Sequence, residues 1–195
     1  MHTITRVAIL GPESSGKTTL CSQLATRLNA LWVREYAREY APAQNGVYTE
    51  SDLIAIYQGQ LALNHAGICE AQAGGYNCVL FDTDAIVLAV WAQMSLAYVP
   101  DMIEQACAEQ SFDHYLLLSP DLPWQADPLR SAPELGKRQL IFSHYETYLR
   151  RYHRHYSIID GQGEDRILCA LNALKQSNIA NIKSVPTSTC LSRVH

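Results

Sequence analysis

Short apolar runs alternate along this chain with longer stretches in which apolar residues recur every three or four positions. The short runs are typical of buried strands and the longer stretches of helices. The predicted strands are RVAIL (6–10), ALWV (30–33), CVLFD (78–82), YLLLS (115–119) and YSIID (156–160). The predicted helices cover residues 17–28, 51–73, 85–95, 101–110, 135–153 and 164–175. This alternation predicts an α/β fold, a five-stranded parallel sheet with helices on both faces.

Two stretches fall outside the alternation. SPDLPWQADPLRSAP (119–133) contains four prolines, which exclude a regular helix or a central strand, so it predicts a long loop. Residues 176–195 are polar and lack a clear period, and we expect them to form a mobile tail. The length of 195 residues suits one hydrophobic core. We therefore assign residues 1–175 to a single domain.

Composition and charge limit the partners of the chain. The formal net charge is −4 and the pI is near 5.9, so a basic surface for nucleic acid is not expected. No apolar run approaches the roughly 18 residues that cross a bilayer, and the first ten residues contain no signal-peptide core. We expect a soluble cytoplasmic protein that acts on a small molecule and does not bind membranes. The sequence does not determine the oligomeric state of the protein.

A glycine-rich motif, GPESSGKT, follows the first predicted strand and opens the first predicted helix. Its fixed glycines, lysine and threonine match GxxxxGK[ST], the phosphate-binding P-loop. In that motif, backbone N–H groups and the helix N-terminus hold the phosphates of ATP, the lysine reaches the β- and γ-phosphates, and the threonine hydroxyl ligates Mg²⁺. The expected nucleotide contacts are Gly11, Glu13, Ser14, Ser15, Gly16, Lys17, Thr18 and Thr19. The motif predicts a single-domain P-loop NTPase fold and leaves the reaction open.

The third predicted strand ends in Asp82-Thr83-Asp84, which puts two carboxylates at the carboxyl edge of the sheet. In open α/β folds, ligands bind at the carboxyl ends of the strands. Asp82 is the candidate for holding Mg²⁺ beside Thr18 or for orienting an attacking hydroxyl, and we assign it to catalysis together with Lys17. Asp84 is the candidate for a substrate contact. In the alternative interpretation, the two acids form the N-cap and first turn of the next helix.

The proline-rich loop carries a further group of polar and aromatic side chains. PWQADPLR contains Trp124, Asp127 and Arg130 on an irregular segment. A loop arginine that closes on the phosphates can stabilise the charge that spreads during phosphoryl transfer. We interpret the loop as a lid, with Arg130 as a third catalytic residue and Trp124 and Asp127 in contact with substrate. An ordinary surface loop is the alternative.

The segment REYARE (34–39), just after the second predicted strand, brings Glu35, Tyr36 and Arg38 to the same edge of the sheet. An acid beside an aromatic ring suits a sugar or a cationic ring, so these three residues are candidates for substrate binding. The amphipathic first turn of a helix is the alternative. The basic cluster RRYHRHY (150–156) lies at a helix end, where cations are favoured, and is interpreted as solvated surface.

Together these residues resemble the nicotinamide riboside kinase family, the kinase domain of NadR-type bifunctional regulators. The resemblance lies in GPESSGKTTL, REYAREY, FDTD and PWQADPLR, in the same order over roughly residues 5–170. It implies ATP- and Mg²⁺-dependent phosphorylation of the 5′-hydroxyl of nicotinamide riboside to nicotinamide mononucleotide. Because the pyridinium ring of that substrate is cationic, it also implies an acidic, aromatic-lined pocket. The residues expected in that pocket are Glu35, Tyr36, Asp84 and Trp91.

The chain departs from the family pattern at two places, and other functions compete with this one. Pro128 stands where the family lid has a glycine, and Val87 and Leu88 stand where the family has small hydroxyl residues. A P-loop kinase for another nucleoside or sugar is the closest alternative. A regulatory GTPase is less favoured, since DGQG (160–163) follows the fifth predicted strand and no NKxD motif is present. A remodelling ATPase of the AAA type would need an aspartate–glutamate pair where this chain has Asp82-Thr83.

Overall fold

The computed structural model describes residues 4–40, 48–110, 112–126, 132, 134–177, 179 and 193–194. Its strands are β1 (Thr5–Leu10), β2 (Leu31–Val33), β3 (Cys78–Phe81), β4 (His114–Leu118), β5 (Tyr156–Ile159) and β6 (Arg193–Val194). Its α-helices are α1 (Lys17–Leu28), α2 (Glu50–Gly74), α3 (Ala85–Leu96), α4 (Asp101–Glu109), α5 (Leu135–Arg151) and α6 (Gly163–Gln176). A 3₁₀ turn covers Tyr36–Arg38. The predicted strands and α-helices are therefore all present, with ends that differ by no more than two residues.

The strands form one sheet in the order β2-β3-β1-β4-β5-β6. β1 to β5 are parallel, which confirms the predicted five-stranded parallel sheet. β6 is a two-residue addition that pairs antiparallel with β5. It lies in the stretch predicted to be a tail, and most of that stretch is outside the described residues, so its mobility stays a prediction. The central position of β1 puts the loop that follows it in the middle of the carboxyl edge.

Two hydrophobic cores cover the two faces of the sheet. Along β1, Val7 and Ile9 join the core beneath α1 and α6, while Ala8 and Leu10 join the larger core beneath α2 to α5. This is the alternation that a strand buried on both faces requires.

Local signals account for the helix ends. A capping box starts α2: the backbone N–H of Asp52 donates to Thr49 Oγ1 at 3.3 Å, and the N–H of Thr49 donates to Asp52 Oδ2 at 2.8 Å. α5 ends at Arg151, two residues earlier than predicted, because His153 adopts a left-handed conformation with φ of 51°. Among the helices of the described residues, none has the length and apolar character that a bilayer crossing needs.

Candidate functional site

The P-loop leaves the end of β1 in a path that only glycine allows at Gly11. Its φ is 154°, and an added Cβ would stand 2.6 Å from Ser15 Oγ and 2.9 Å from the Leu118 carbonyl oxygen. Gly16, with φ of 83°, then forms the N-cap of α1. The two glycines bend the chain so that α1 starts directly over the end of β1, with the first N–H groups of the helix free of intrahelical partners. This is the geometry of an anion site.

Lys17, the first residue of α1, folds back over this loop. Its Nζ donates to the carbonyl oxygen of Gly11 at 2.7 Å and to that of Pro12 at 3.3 Å. The ammonium is therefore held against the carbonyl groups at the start of the glycine-rich loop. A phosphate bound in the loop would meet both the lysine charge and the partial positive charge of the helix N-terminus.

Asp82 lies at the end of β3 and is buried to 1% exposure. Its backbone N–H donates to the Val33 carbonyl at 3.0 Å, which ties β3 to β2 at this edge. Burial raises the pKa of Asp82 to about 6, opposed by the charge of Lys17 and a hydrogen bond from the Thr18 hydroxyl. Asp82 Oδ1 is buried and has no hydrogen-bond partner among the described residues. The carboxylate thus stands beside the P-loop with one oxygen unsatisfied.

Asp84 has a different position. It is the N-cap of α3, where its Oδ1 accepts from the N–H groups of Ile86 at 3.0 Å and Val87 at 3.3 Å. Burial raises the pKa of this carboxyl group to about 7, opposed by these two hydrogen bonds. Asp84 is not among the residues that line the cleft described below. The structure thus gives it the capping role of the alternative interpretation, and its contact with substrate stays a prediction.

A cleft of about 270 Å³ runs over the P-loop, close to the lower end of the range for small-molecule sites. Most of the predicted nucleotide contacts and three of the predicted substrate contacts line it: Glu13, Ser14, Ser15, Gly16, Lys17, Thr18, Thr19, Glu35, Arg38 and Trp91. Sequence reasoning missed the other lining residues, which are Leu20, Gln23, Leu122, Pro123, Gln125, Gly163 and Arg166. Gly163 belongs to the DGQG segment, whose sequence suggested only the less favoured GTPase motif, so no sequence signal predicted this part of the wall.

One end of the cleft combines an acid, Glu35, with an aromatic ring, Trp91. Glu35 is buried, and its Oε2 lies 3.2 Å from Nε of the more exposed Arg38. The ring of Trp91 stacks on Tyr48, with centroids 5.9 Å apart and planes inclined by 27°. Burial and the Glu35 charge raise the pKa of Tyr48, so this ring lies near the acid. Tyr48 was not predicted, because nothing in its local sequence distinguishes it from a surface tyrosine.

Tyr36 lies just outside this end of the cleft. Its backbone N–H donates to Gln60 Oε1 at 2.7 Å, and its ring covers Gly59 of α2, where an added Cβ would stand 2.2 Å from the ring. These contacts fix the 3₁₀ turn on α2 and hold the preceding Glu35 in place. Tyr36 does not line the cleft, so its direct contact with substrate stays a prediction.

The P-loop also holds the described parts of the proline-rich loop. Ser14 Oγ accepts from the backbone N–H of Gln125 at 3.0 Å and lies 3.3 Å from the Gln125 carbonyl oxygen, while Glu13 Oε2 accepts from the N–H of Ala132 at 2.8 Å. Trp124 is half-buried and does not line the cleft. Asp127 and Arg130, which the sequence assigns to substrate binding and catalysis, lie outside the described residues.

The described residues contain no group of three or more His, Cys, Asp and Glu side chains that could hold a metal ion by themselves. The two predicted Mg²⁺ ligands, Thr18 and Asp82, do lie together, and Asp82 Oδ1 is free to coordinate. Mg²⁺ in phosphate sites is typically bound by one or two protein oxygens, with phosphates and waters completing the shell. These residues therefore fit a magnesium ion bound together with a nucleotide.

A glycine-rich loop between a central parallel strand and a helix, with a lysine held against it and an aspartate from the neighbouring strand beside it, defines a P-loop protein. The comparison with protein families agrees with this class. The chain belongs to the AAA_28 family, described as an AAA domain, whose model matches residues 6–166.

Two curated proteins are similar to this chain in sequence. They are the trifunctional NAD biosynthesis/regulator proteins NadR of Salmonella typhimurium and Escherichia coli, each 34% identical over 129 residues. The aligned stretch covers 64% of this chain and 30% of each relative, so the chain spans less than a third of their length. This similarity confirms the resemblance to NadR-type proteins that the four motifs predicted.

The fold is also similar to that of solved structures. A NadR protein in complex with NAD and AMP-PNP superposes with a TM-score of 0.75 at 24% identity, over 94% of this chain and 52% of that one. A NadR protein in complex with NR gives the same TM-score at 22% identity, over 96% of this chain and 54% of that one. Deoxyadenosine kinase from M. mycoides with bound dATP gives 0.54 at 14% identity, over 88% and 99%. At these identities the superpositions establish the P-loop fold.

Proposed function

We propose that this protein is a kinase that transfers the γ-phosphoryl group of ATP to the 5′-hydroxyl of nicotinamide riboside, forming nicotinamide mononucleotide. The observation that carries the proposal is the single cleft that joins the P-loop to a buried acid and a stacked tryptophan. The similarity to NadR, and the NR and AMP-PNP bound in its solved relatives, support the choice of substrates.

The phosphates of ATP bind along the loop from Gly11 to Thr19, with Lys17 at the β- and γ-phosphates. Thr18 and Asp82 would hold Mg²⁺, and neutralisation of phosphate charge is the chemistry that this ion would supply when bound. In the reaction, the acceptor oxygen forms a bond to the γ-phosphorus while the bond to the bridging oxygen of ADP breaks. In the alternative role, without a direct bond to Mg²⁺, Asp82 orients the attacking hydroxyl and takes its proton, for which its pKa of about 6 in the absence of a metal ion is suited.

The acceptor binds at the end of the cleft lined by Glu35, Arg38 and Trp91, where Tyr48 stacks on Trp91 from outside the lining. A pyridinium ring over an aromatic face gains about 0.5–2 kcal/mol, and the buried carboxylate of Glu35 adds a second favourable contact with the ring charge. The proline-rich loop is proposed to act as a lid that covers the transferred group. In it, Arg130 contacts the phosphates, and Trp124 and Asp127 contact the substrate.

The test is an ADP-release assay with nicotinamide riboside, nicotinic acid riboside, uridine and other nucleosides and sugars as acceptors. We expect kcat/KM for nicotinamide riboside to exceed that for uridine by roughly 2- to 30-fold, the ratio that corresponds to the cation–π energy. Nicotinic acid riboside should be poorer than nicotinamide riboside, because its carboxylate would face Glu35. Lys17→Ala should abolish transfer, whereas Lys175→Ala, at the exposed end of α6, should not.

Glu35→Gln provides the specificity control. It removes the buried charge and should reduce the preference for the cationic acceptor, whereas Glu39→Gln, on the exposed side of the same segment, should leave that preference unchanged. Equal kcat/KM values for uridine and nicotinamide riboside in the wild type would contradict the assigned acceptor. Efficient turnover of a different nucleoside or sugar would establish the alternative kinase. A fully active Lys17→Ala variant would rule out kinase activity at this site.

A further inference from the structure

Arg166 is a buried arginine, 4% exposed, in the first turn of α6. Its Nε donates to the Gly161 carbonyl at 2.7 Å, its Nη1 to the Ile159 carbonyl at 3.3 Å, and its Nη2 to the Ser119 carbonyl at 3.5 Å and to Asp121 Oδ1. One side chain thereby joins the segment after β4 to the turn after β5.

Asp121 strengthens this junction from its other oxygen. Its Oδ2 accepts from the N–H of Gly161 at 2.8 Å, so the carboxylate connects to the same turn directly as well as through Arg166. The two joined segments then continue into the cleft: Leu122 and Pro123 follow Asp121 on one wall, and Gly163 closes the turn on the other. The spacing of these walls therefore depends on the contacts of Arg166.

This end of the cleft lies opposite the end that contains Glu35. Glu35 follows β2 and Arg166 follows β5, and the strand order puts β3, β1 and β4 between them. In phosphoryl transfer, the attacking and leaving oxygens lie roughly in line across the transferred group. Given the proposed function, an acceptor beside Glu35 puts the nucleoside of ATP on the β4 and β5 side.

We propose that Arg166 is a positioning residue for ATP, which holds the walls of the nucleoside end of the cleft at the spacing the nucleotide needs. The guanidinium does not act as a phosphate ligand in this arrangement, because its donors are directed at three carbonyl groups and its charge is balanced by Asp121. The remaining lining of this end, from Leu122, Pro123 and Gln23, is uncharged, as suits a neutral base and sugar.

The experiment measures ATP binding directly, by calorimetry with Mg-ATP, and KM for both substrates in Arg166→Lys and Asp121→Asn. Lysine keeps the charge but cannot reach all the partners of the planar guanidinium. We expect the Kd and KM for ATP to rise about tenfold or more in Arg166→Lys, the scale of a lost charged hydrogen bond, and less in Asp121→Asn. KM for the acceptor should change by less than about twofold, since its end of the cleft has no contact with Arg166.

Arg27→Lys is the matched control. Arg27 also connects α1 and α6, through a pair with Glu164 at 2.7 Å, but on the exposed surface away from the cleft. Its substitution should leave the Kd for ATP unchanged. A folded Arg166→Lys protein that binds ATP as the wild type does would overturn the inference. If that variant does not fold, unchanged ATP binding in Asp121→Asn would overturn it instead. A wild-type chain that binds no ATP would overturn the proposed function as well. ATP binding by the wild type is therefore the result that separates a failure of the Arg166 inference from a failure of the proposed function.

Discussion

At the scale of single residues, His114 shows how burial, more than neighbouring charge, sets the charge state of a side chain. It begins β4, is 1% exposed, and its Nε2 lies 2.9 Å from Ser157 Oγ on β5. Its Nδ1 is buried without a partner among the described residues. Burial, with a smaller contribution from the charge of His155, lowers the pKa of His114 to about 4. The folded protein therefore keeps this imidazole neutral under conditions in which the unfolded chain protonates it.

The consequence is a stability that depends on pH. With a folded pKa below the ordinary value of 6.5, His114 contributes stability above pH 6.5 that is lost as the pH falls towards 4. The loss approaches about 1.4 kcal/mol per pH unit within that window. Urea unfolding at several pH values should show this slope in the wild type and in His65→Gln, an exposed control, and a flatter slope in His114→Gln. An equal slope in all three would show that other groups cause it.

The residues that the sequence could predict are those whose neighbours in the chain define them. The P-loop is a contiguous motif, and Glu35 and Asp82 follow strands that end at one edge. Arg166 could not be predicted, because its partners lie in segments up to 47 residues away and an isolated arginine on an amphipathic helix resembles a surface residue. Tyr48 could not be predicted for the same reason, because only its stack with Trp91, a residue distant in sequence, gives it a role.

At the scale of elements, the apolar period was sufficient to predict every α-helix and each of the parallel strands among the described residues. The exceptions are short. The 3₁₀ turn at Tyr36–Arg38 depends on its contact with α2, and β6 has only two residues, too few for a period to show. Helix α2 meets β2 closely because Gly67 lacks a side chain: an added Cβ would stand 2.3 Å from Val33 Cγ2.

Gly67→Ala should therefore destabilise the protein although alanine is the better helix former. Val33 is buried and β-branched, so it cannot turn aside, and overpacking of this kind costs about 1–3 kcal/mol. Gly136, in the first turn of α5, has no atom within 4 Å of an added Cβ, and Gly136→Ala should leave stability unchanged or raise it by up to about 1 kcal/mol. Thermal unfolding of both variants measures the difference, and equal midpoints would show that β2 shifts to accept the methyl group.

At the scale of the whole molecule, the class of fold could be predicted from the sequence, because few architectures bury the apolar faces of alternating strands and helices. The order of the strands was not predicted. That order decides which loops face each other across the P-loop, so the two ends of the cleft became visible only in the structure. It also divides the helices unequally, with α1 and α6 alone on the smaller core.

Because α1 and α6 pack on the smaller of the two cores, we expect them to open more readily than the helices on the larger core. Regions with less buried apolar contact open with lower free energy, and ligands stabilise the regions that they bind. Amide protons of α1 and α6 should therefore exchange with solvent deuterium sooner than those of α3, which is buried along most of its length. Mg-ATP should slow exchange in α1 and α6 far more than in α3. Mass spectrometry of peptides from each helix can measure this, and uniform protection by Mg-ATP would mean that both faces open together as one cooperative unit.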